Sequence, residues 1–88
     1  MAISFNVNIS TRDASIYEGR VVSLVAPGEM GYLGVLANHA PLITTLVPGK
    51  IVLRNESGAK TIFRSKGNGF LDVVKNNVTI LLDSAEPL

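Results

Sequence analysis

The chain has 88 residues, 47% of them hydrophobic and 17% charged, which is enough for one small folded core and argues against a disordered segment. Eight Lys and Arg stand against seven Asp and Glu, so the net charge of +1 gives no general electrostatic drive toward nucleic acid. The absence of cysteine excludes disulfides and thiolate metal sites.

The opening segment MAISFNVNIS has neither a basic start nor a long apolar core, so it does not read as a signal peptide. No later run approaches the roughly 20 apolar residues of a membrane helix. Ile3, Phe5, Val7 and Ile9 alternate with Ser4, Asn6 and Asn8, the period of a half-buried strand with the four apolar residues inward. Further β-prone runs follow, rich in branched and aromatic residues: RVVSLVA, KIVLR, TIFRS, FLDVV and VTILLD. Between them stand turn signals at Glu18-Gly19, Pro27-Gly28, Asn38 to Pro41, Pro48-Gly49, Asn55 to Gly58, Gly67 to Gly69 and Asn76-Asn77. Pro48-Gly49 suits a type II turn with positive φ at the glycine, and Asn76-Asn77 suits a tight hairpin. No segment carries a helical period with caps. Short strands at regular spacing predict an all-β, antiparallel β-sandwich or barrel, in a single domain over residues 1–88.

Two segments resist simple alternation. In KTIFRSK, Ile62 shares a face with Lys60 and Arg64, which leaves the inward side open. Ile80, Leu81 and Leu82 are apolar on both faces, so that strand is either sandwiched or covered by a partner. Val78, Ile80 and Leu82 fit either core or a partner-facing surface, with core the preferred reading.

The inventory for chemistry is nearly empty. His39 is the only histidine, and scattered carboxylates without cysteine do not make the three or four ligands of a metal site. No activated serine stands in a recognisable arrangement with it. Gly28, Gly31 and Gly34 spell G-x-x-G-x-x-G, which is neither a dinucleotide fingerprint nor a P-loop. These glycines read as bends, and Gly34 is expected to take a positive φ or lie against a neighbouring backbone. GNGFLD lacks a final glycine and a following helix. Asp72, between Leu71 and Val73, points away from them as a solvent-facing strand residue, and Glu29 lies in a turn. Asn8, Asn55 and Asn77 head chance glycosylation sequons. Lys50, Arg54, Lys60, Arg64 and Lys66 gather in one region with Glu56 as the only acid, a solvated strand face or a basic patch without the aromatic interleaving of nucleic-acid platforms. No metal, cofactor or catalytic residue is assigned. An empty inventory points to a binding or structural role.

Read with its flanks, the stretch GYLGVLANHAPLITTL resembles the N-terminal β-domain of the epsilon subunit of F-type ATP synthases, called delta in mitochondria. The resemblance rests on Leu33-Gly34-Val35, His39-Ala40-Pro41-Leu42, Ile43-Thr44-Thr45-Leu46 and Pro48-Gly49-Lys50-Ile51. It continues through Gly67-Asn68-Gly69-Phe70-Leu71-Asp72-Val73 and Asn77-Val78-Thr79-Ile80-Leu81-Leu82-Asp83, with Phe5-Asn6-Val7 and Tyr17-Glu18-Gly19 fitting the opening strands. It implies a β-sandwich of about ten strands and a non-catalytic rotor part that joins the gamma subunit to the ring of c subunits, coupling proton translocation to ATP synthesis. The resemblance further implies c-ring contacts at Met30, Tyr32, Ala37, Asn38 and His39, together at one end of the sandwich. For the gamma face it points to Thr11, Leu42, Ile43 and Thr44. The implied place is peripheral, through the complex, on the cytoplasmic face of a bacterial inner membrane.

The chain departs from the family pattern in three places. Tyr32 stands where many members have Glu, and Ala37-Asn38 stand where many have Pro-Gly. The sequence stops at Asp83-Ser84-Ala85-Glu86-Pro87-Leu88, where most members continue into a helical hairpin that can inhibit hydrolysis and in some members binds ATP. The expectation is coupling without that inhibitory switch. Two other readings fit the residues: an unrelated β-sandwich binding module, and a small enzyme using His39.

Overall fold

The computed structural model describes residues 3–88. They form β1 (Phe5–Ser10), β2 (Ser15–Val21), β3 (Ser23–Gly28), β4 (Gly31–Val35), β5 (Leu42–Leu46), β6 (Gly49–Arg54), β7 (Lys60–Val74) and β8 (Asn77–Pro87), with no helix. Neighbouring strands run antiparallel, except that β1 lies parallel to β8.

β7 and β8 are long, and each serves two layers. The first arm of β7 pairs Lys60 to Ser65 with β6, and its second arm pairs Gly69 to Val73 with β5. β8 follows it, setting Asn77 to Leu82 against the second arm and Ser84 to Pro87 against the first. One layer is therefore β2, β1, the early arm of β8, the late arm of β7 and β5. The other is β4, β3, β6, the early arm of β7 and the late arm of β8. A single pairing, Gly28 with Leu46, links β3 to β5 and ties the layers on the other side. The ten strands implied by the resemblance are here eight, because the two long strands are shared rather than broken.

The crossing lies where the β7–β8 register shifts, between Lys66 and Gly69. Gly67 takes φ 86°, open to glycine at little cost. At Gly69 an added Cβ would land on the carbonyl oxygen of Leu81. The bulge bends the hairpin and aims its two arms into different sheets.

Between the layers lies one apolar cluster. It holds Phe5, Val7 and Ile9 of β1, Leu24 and Ala26 of β3, Leu46, Ile51, Leu53, Phe63, Leu71 and Val73, and also Val78, Ile80 and Leu82 of β8. Tyr17 of β2 and Phe63 of β7 meet edge to face across it, with ring centroids 6.1 Å apart and planes at 76°. Val78, Ile80 and Leu82 are core, as read from the sequence. Ile3 is not: it precedes β1 and is exposed. Phe63 and Ser65 resolve the inward side of KTIFRSK. Ser65 is buried because its hydroxyl accepts from the Gly49 amide (3.2 Å) and reaches the Val47 and Gly49 carbonyls (3.4 and 3.2 Å), satisfying the β5–β6 turn.

Several local expectations change. Glu18-Gly19 lies inside β2, and the β1–β2 turn falls at Thr11 to Ala14, where the Thr11 amide donates to the Ala14 carbonyl (2.9 Å). The β7–β8 hairpin turns on Lys75 (φ 47°) and Asn76 (φ 63°), one residue earlier than the Asn-Asn signal, with both central residues left-handed as a two-residue I′ loop requires. Gly49 is not left-handed. It is a glycine because a Cβ there would come within 2.8 Å of the Pro27 Cβ and the Tyr32 hydroxyl. Gly34 has neither property expected of it: its φ is not positive, and the nearest atom to an added Cβ is the Leu24 carbonyl oxygen at 4.0 Å.

These glycines separate cleanly in a stability measurement. Gly69→Val is expected to lower unfolding stability by about 1–3 kcal/mol through the forced shift at the crossing. Gly34→Val should stay within about 0.5 kcal/mol of the parent. Urea midpoints of the two variants give the comparison, and equal midpoints would remove the crossing's dependence on Gly69.

Candidate functional site

The strand period places Phe70, Asp72 and Val74 of β7 on the outer side of the first layer, opposite in sense to the buried Leu71 and Val73. Register then fixes their neighbours. Ile43 lies across from Asp72 on β5, and Thr45 across from Phe70. On β8, Leu81 lies across from Phe70 and Thr79 across from Asp72. Ile43 is 76% exposed, Phe70 58%, Leu81 51% and Val74 47%. The result is an apolar patch on three adjacent strands rather than scattered single residues. Asp72 sits within it, with Oδ1 shut off from solvent and without a hydrogen-bond partner.

The patch continues into a depression lined by Thr11, Arg12, Thr45, Phe70, Leu81 and Asp83. Arg12 and Asp83 close one side through an ion pair at 2.9 Å, exposed on both partners. Of the four residues expected to meet gamma, Thr11 therefore borders this surface and Ile43 projects from it. Leu42 and Thr44 alternate to the other side of β5, and Leu42 packs against the core. The expected set omits Phe70, Val74 and Leu81. The two-faced apolar run at Ile80 to Leu82 was the sequence signal for Leu81.

The five residues expected together at one end are split between two. Met30 is the fully exposed tip of the β3–β4 hairpin. Tyr32, two residues on, folds back over Gly49, and its hydroxyl accepts the Lys50 amide at 3.1 Å. The Glu29 amide donates to Thr45 (3.1 Å) and the Val47 amide to Pro27 (2.9 Å), fixing the tip beside the β5–β6 turn. Ala37, Asn38 and His39 follow the opposite end of β4. There Asn38, at φ 64°, donates its amide to the Asn76 Oδ1 (2.6 Å) and accepts from the Asn76 Nδ2 (3.0 Å). This pair clamps the 36–41 connection to the β7–β8 turn. One β4 length separates the two groups, so the single-end expectation is corrected: Ala37, Asn38 and His39 lie away from Met30 and Tyr32. A linear motif does not reveal that a strand runs between its halves from one end to the other.

His39 is half-buried. Its amide donates to the Leu36 carbonyl (3.2 Å), and its Nδ1 lies 2.7 Å from the Ala40 carbonyl oxygen. These are the bonds of a turn-shaping residue. Among the described residues no three His, Cys, Asp or Glu side chains converge as a metal site.

The outer side of the second layer differs in character. Lys50 lies directly across from Arg64, and Arg54 across from Lys60, with Val52 and Ile62 between the pairs. Lys66 reaches Glu86 at 3.3 Å. The cationic region of the sequence is thus one strand face, placed on the reverse of the apolar patch.

The family model for the ATP synthase delta/epsilon chain beta-sandwich domain matches residues 4–88. The chain is 45% identical over 86 residues to the ATP synthase epsilon chain of Acidithiobacillus ferridurans, covering 98% of this chain and 60% of that one. It is 42% identical over 82 residues to the epsilon chain of Leptospira borgpetersenii, covering 93% and 63%. It therefore spans about three-fifths of the length of these relatives. A chain of the Euglena gracilis mitochondrial ATP synthase, solved with OSCP, F1 and c-ring, superposes with a TM-score of 0.89 at 26% identity, covering 96% of this chain and 53% of that one. A chain from the Tetrahymena thermophila mitochondrial central stalk and c-ring shares the fold at a TM-score of 0.76 and 18% identity, covering 97% and 67%. By the extent of the family match, the chain belongs to the ATP synthase delta/epsilon-chain β-sandwich family.

Proposed function

We propose that this chain forms the β-sandwich of a central-stalk rotor subunit of an F-type ATP synthase. It carries no chemistry of its own. It joins the gamma subunit to the c ring, so that proton-driven ring rotation turns gamma without slip. The observation that carries this reading is the apolar patch of Ile43, Phe70, Val74 and Leu81. A small sandwich has no internal need for such a patch, and an obligate partner surface supplies one.

Gamma covers this patch. Ile43 and Phe70 are its anchors and Thr11 its border, while Leu42 and Thr44 support it from the inner side of β5. A rigid domain held this way offers one end to the ring. Met30 and Tyr32 form that end, since they present an exposed thioether and an aromatic ring at a hairpin tip, side chains suited to protein contact. Ala37, Asn38 and His39 then lie at the far end, away from the ring. No helix among the described residues is long and apolar enough to cross a membrane. The chain is held at the membrane through the complex, on the cytoplasmic face of the bacterial inner membrane.

Calorimetric titration of the chain into purified gamma from the same source tests the docking. Ile43→Lys and Phe70→Lys are each expected to weaken binding by about 2 kcal/mol or more, roughly thirtyfold, with melting temperatures close to the parent. Undiminished affinity in both variants would move the interface elsewhere. Single-cysteine variants in the assembled enzyme test the orientation. Met30→Cys is expected to cross-link to a c subunit, and Asn38→Cys is not. The reverse pattern would invert the domain.

A further inference from the structure

Asp72 is the feature of the apolar patch that burial alone does not explain. It occupies the middle of an outward strand row, between Phe70 and Val74, with Ile43 on one side and Thr79 on the other. Its Oδ1 is already cut off from water and has no donor. Among the described residues no cation pairs with it, and Lys75, three residues on in the β7–β8 turn, makes no ion pair. Arg12 is committed to Asp83 at 2.9 Å. Arg20 is committed to Ser4 and Asn6. Lys66 pairs with Glu86. Lys50, Arg54, Lys60 and Arg64 lie on the reverse side of the sandwich. The carboxylate in the free chain is hydrated only through the part of the side chain that remains open.

A partner seated on Ile43, Phe70 and Leu81 removes that remaining water. An apolar partner surface would then leave a desolvated negative charge with no counter-charge, the arrangement that most opposes association. Docking on this patch therefore favours a partner that brings a positive group to the one point where water is lost.

We infer that the partner surface covering the patch carries a basic side chain aimed at Asp72, and that this single charge pair fixes the register in which the two surfaces meet. An arginine fits best. Its guanidinium is permanently charged, more weakly hydrated than an ammonium, and stacks on a ring such as Phe70 while donating to a carboxylate. The surrounding aliphatic surface holds the partner, and Asp72 selects how it lies. A partner shifted along the strand by one pleat would place its cation against Phe70 or Val74 and leave Asp72 uncompensated. This inference rests on gamma being the occupant of the patch.

The test uses the full chain and purified gamma, titrated at low and at high salt, for the parent and for Asp72→Asn, Asp72→Thr and Ile43→Ser. Asp72→Asn is expected to bind at least tenfold more weakly at low salt and to lose most of the salt dependence of the parent. Asp72→Thr, which suits a strand, should do the same, and both should melt at or above the parent temperature because an unpartnered carboxylate has been removed. Ile43→Ser should weaken binding while keeping the salt dependence. If the parent binds gamma and both Asp72 variants bind within threefold of it with unchanged salt dependence, the charge pair is overturned while the docking surface stands. If the parent itself does not bind gamma, the docking reading falls and this inference falls with it.

Discussion

Everything in this small sandwich depends on one crossing, where β7 and β8 pass together from one sheet to the other between Lys66 and Gly69. Away from it, the two sheets are joined by packed side chains and by the short β3–β5 link at Gly28 and Leu46. Here a continuous hairpin enters both, and backbone hydrogen bonds run through the corner. The constraint is steric: the β8 carbonyl at Leu81 approaches so closely that only a residue without Cβ fits at position 69. A left-handed Gly67 beside it completes the bend. The bend also determines the surface. It turns the late arm of β7 so that Phe70, Asp72 and Val74 face outward next to Leu81 and Ile43, while Lys60, Ile62 and Arg64 on the early arm face outward on the opposite side. One strand therefore supplies an apolar face and a cationic one.

Much of the fold was legible in the sequence because its signals were local. Alternation in β1 identified Phe5, Val7 and Ile9, and turn residues marked most connections. The resemblance supplied the sandwich, and the family match agrees with it. What was not legible depended on distant neighbours. Ser65 broke the alternation of β7 because it satisfies a turn sixteen residues earlier, so a polar side chain took an inward place. Gly49 looked like a turn glycine and is in fact a packing glycine under Tyr32. Gly34 looked special and has open space. In each case the residue type was informative, but the reason for it lay on another strand.

The site shows the same division. A lone His39 and a cysteine-free composition pointed the sequence reading toward a binding role. Ile43, expected on a partner-facing surface, lies in the apolar patch, whereas Phe70, Val74 and Leu81 were not singled out, because a surface patch is assembled by register between strands and a linear reading has no register. The grouping of Met30 and Tyr32 with Ala37, Asn38 and His39 treated closeness in sequence as closeness in space. A five-residue extended strand undoes that, since extension carries the chain across the domain in a few residues.

The parallel pairing of β1 with β8 has a consequence for how the domain comes into being. Asn6 meets Asn77 and Ser10 meets Leu81, so the first strand waits for the last, across 71 residues of chain. Contacts of such long range are slow to close, and during synthesis they cannot form until the final strand has left the ribosome. The apolar patch also waits for β8, because Leu81 belongs to that strand and its patch neighbours Ile43, Phe70 and Val74 to strands made earlier. A nascent chain therefore lacks the complete apolar patch until β8 has been made and the domain has closed.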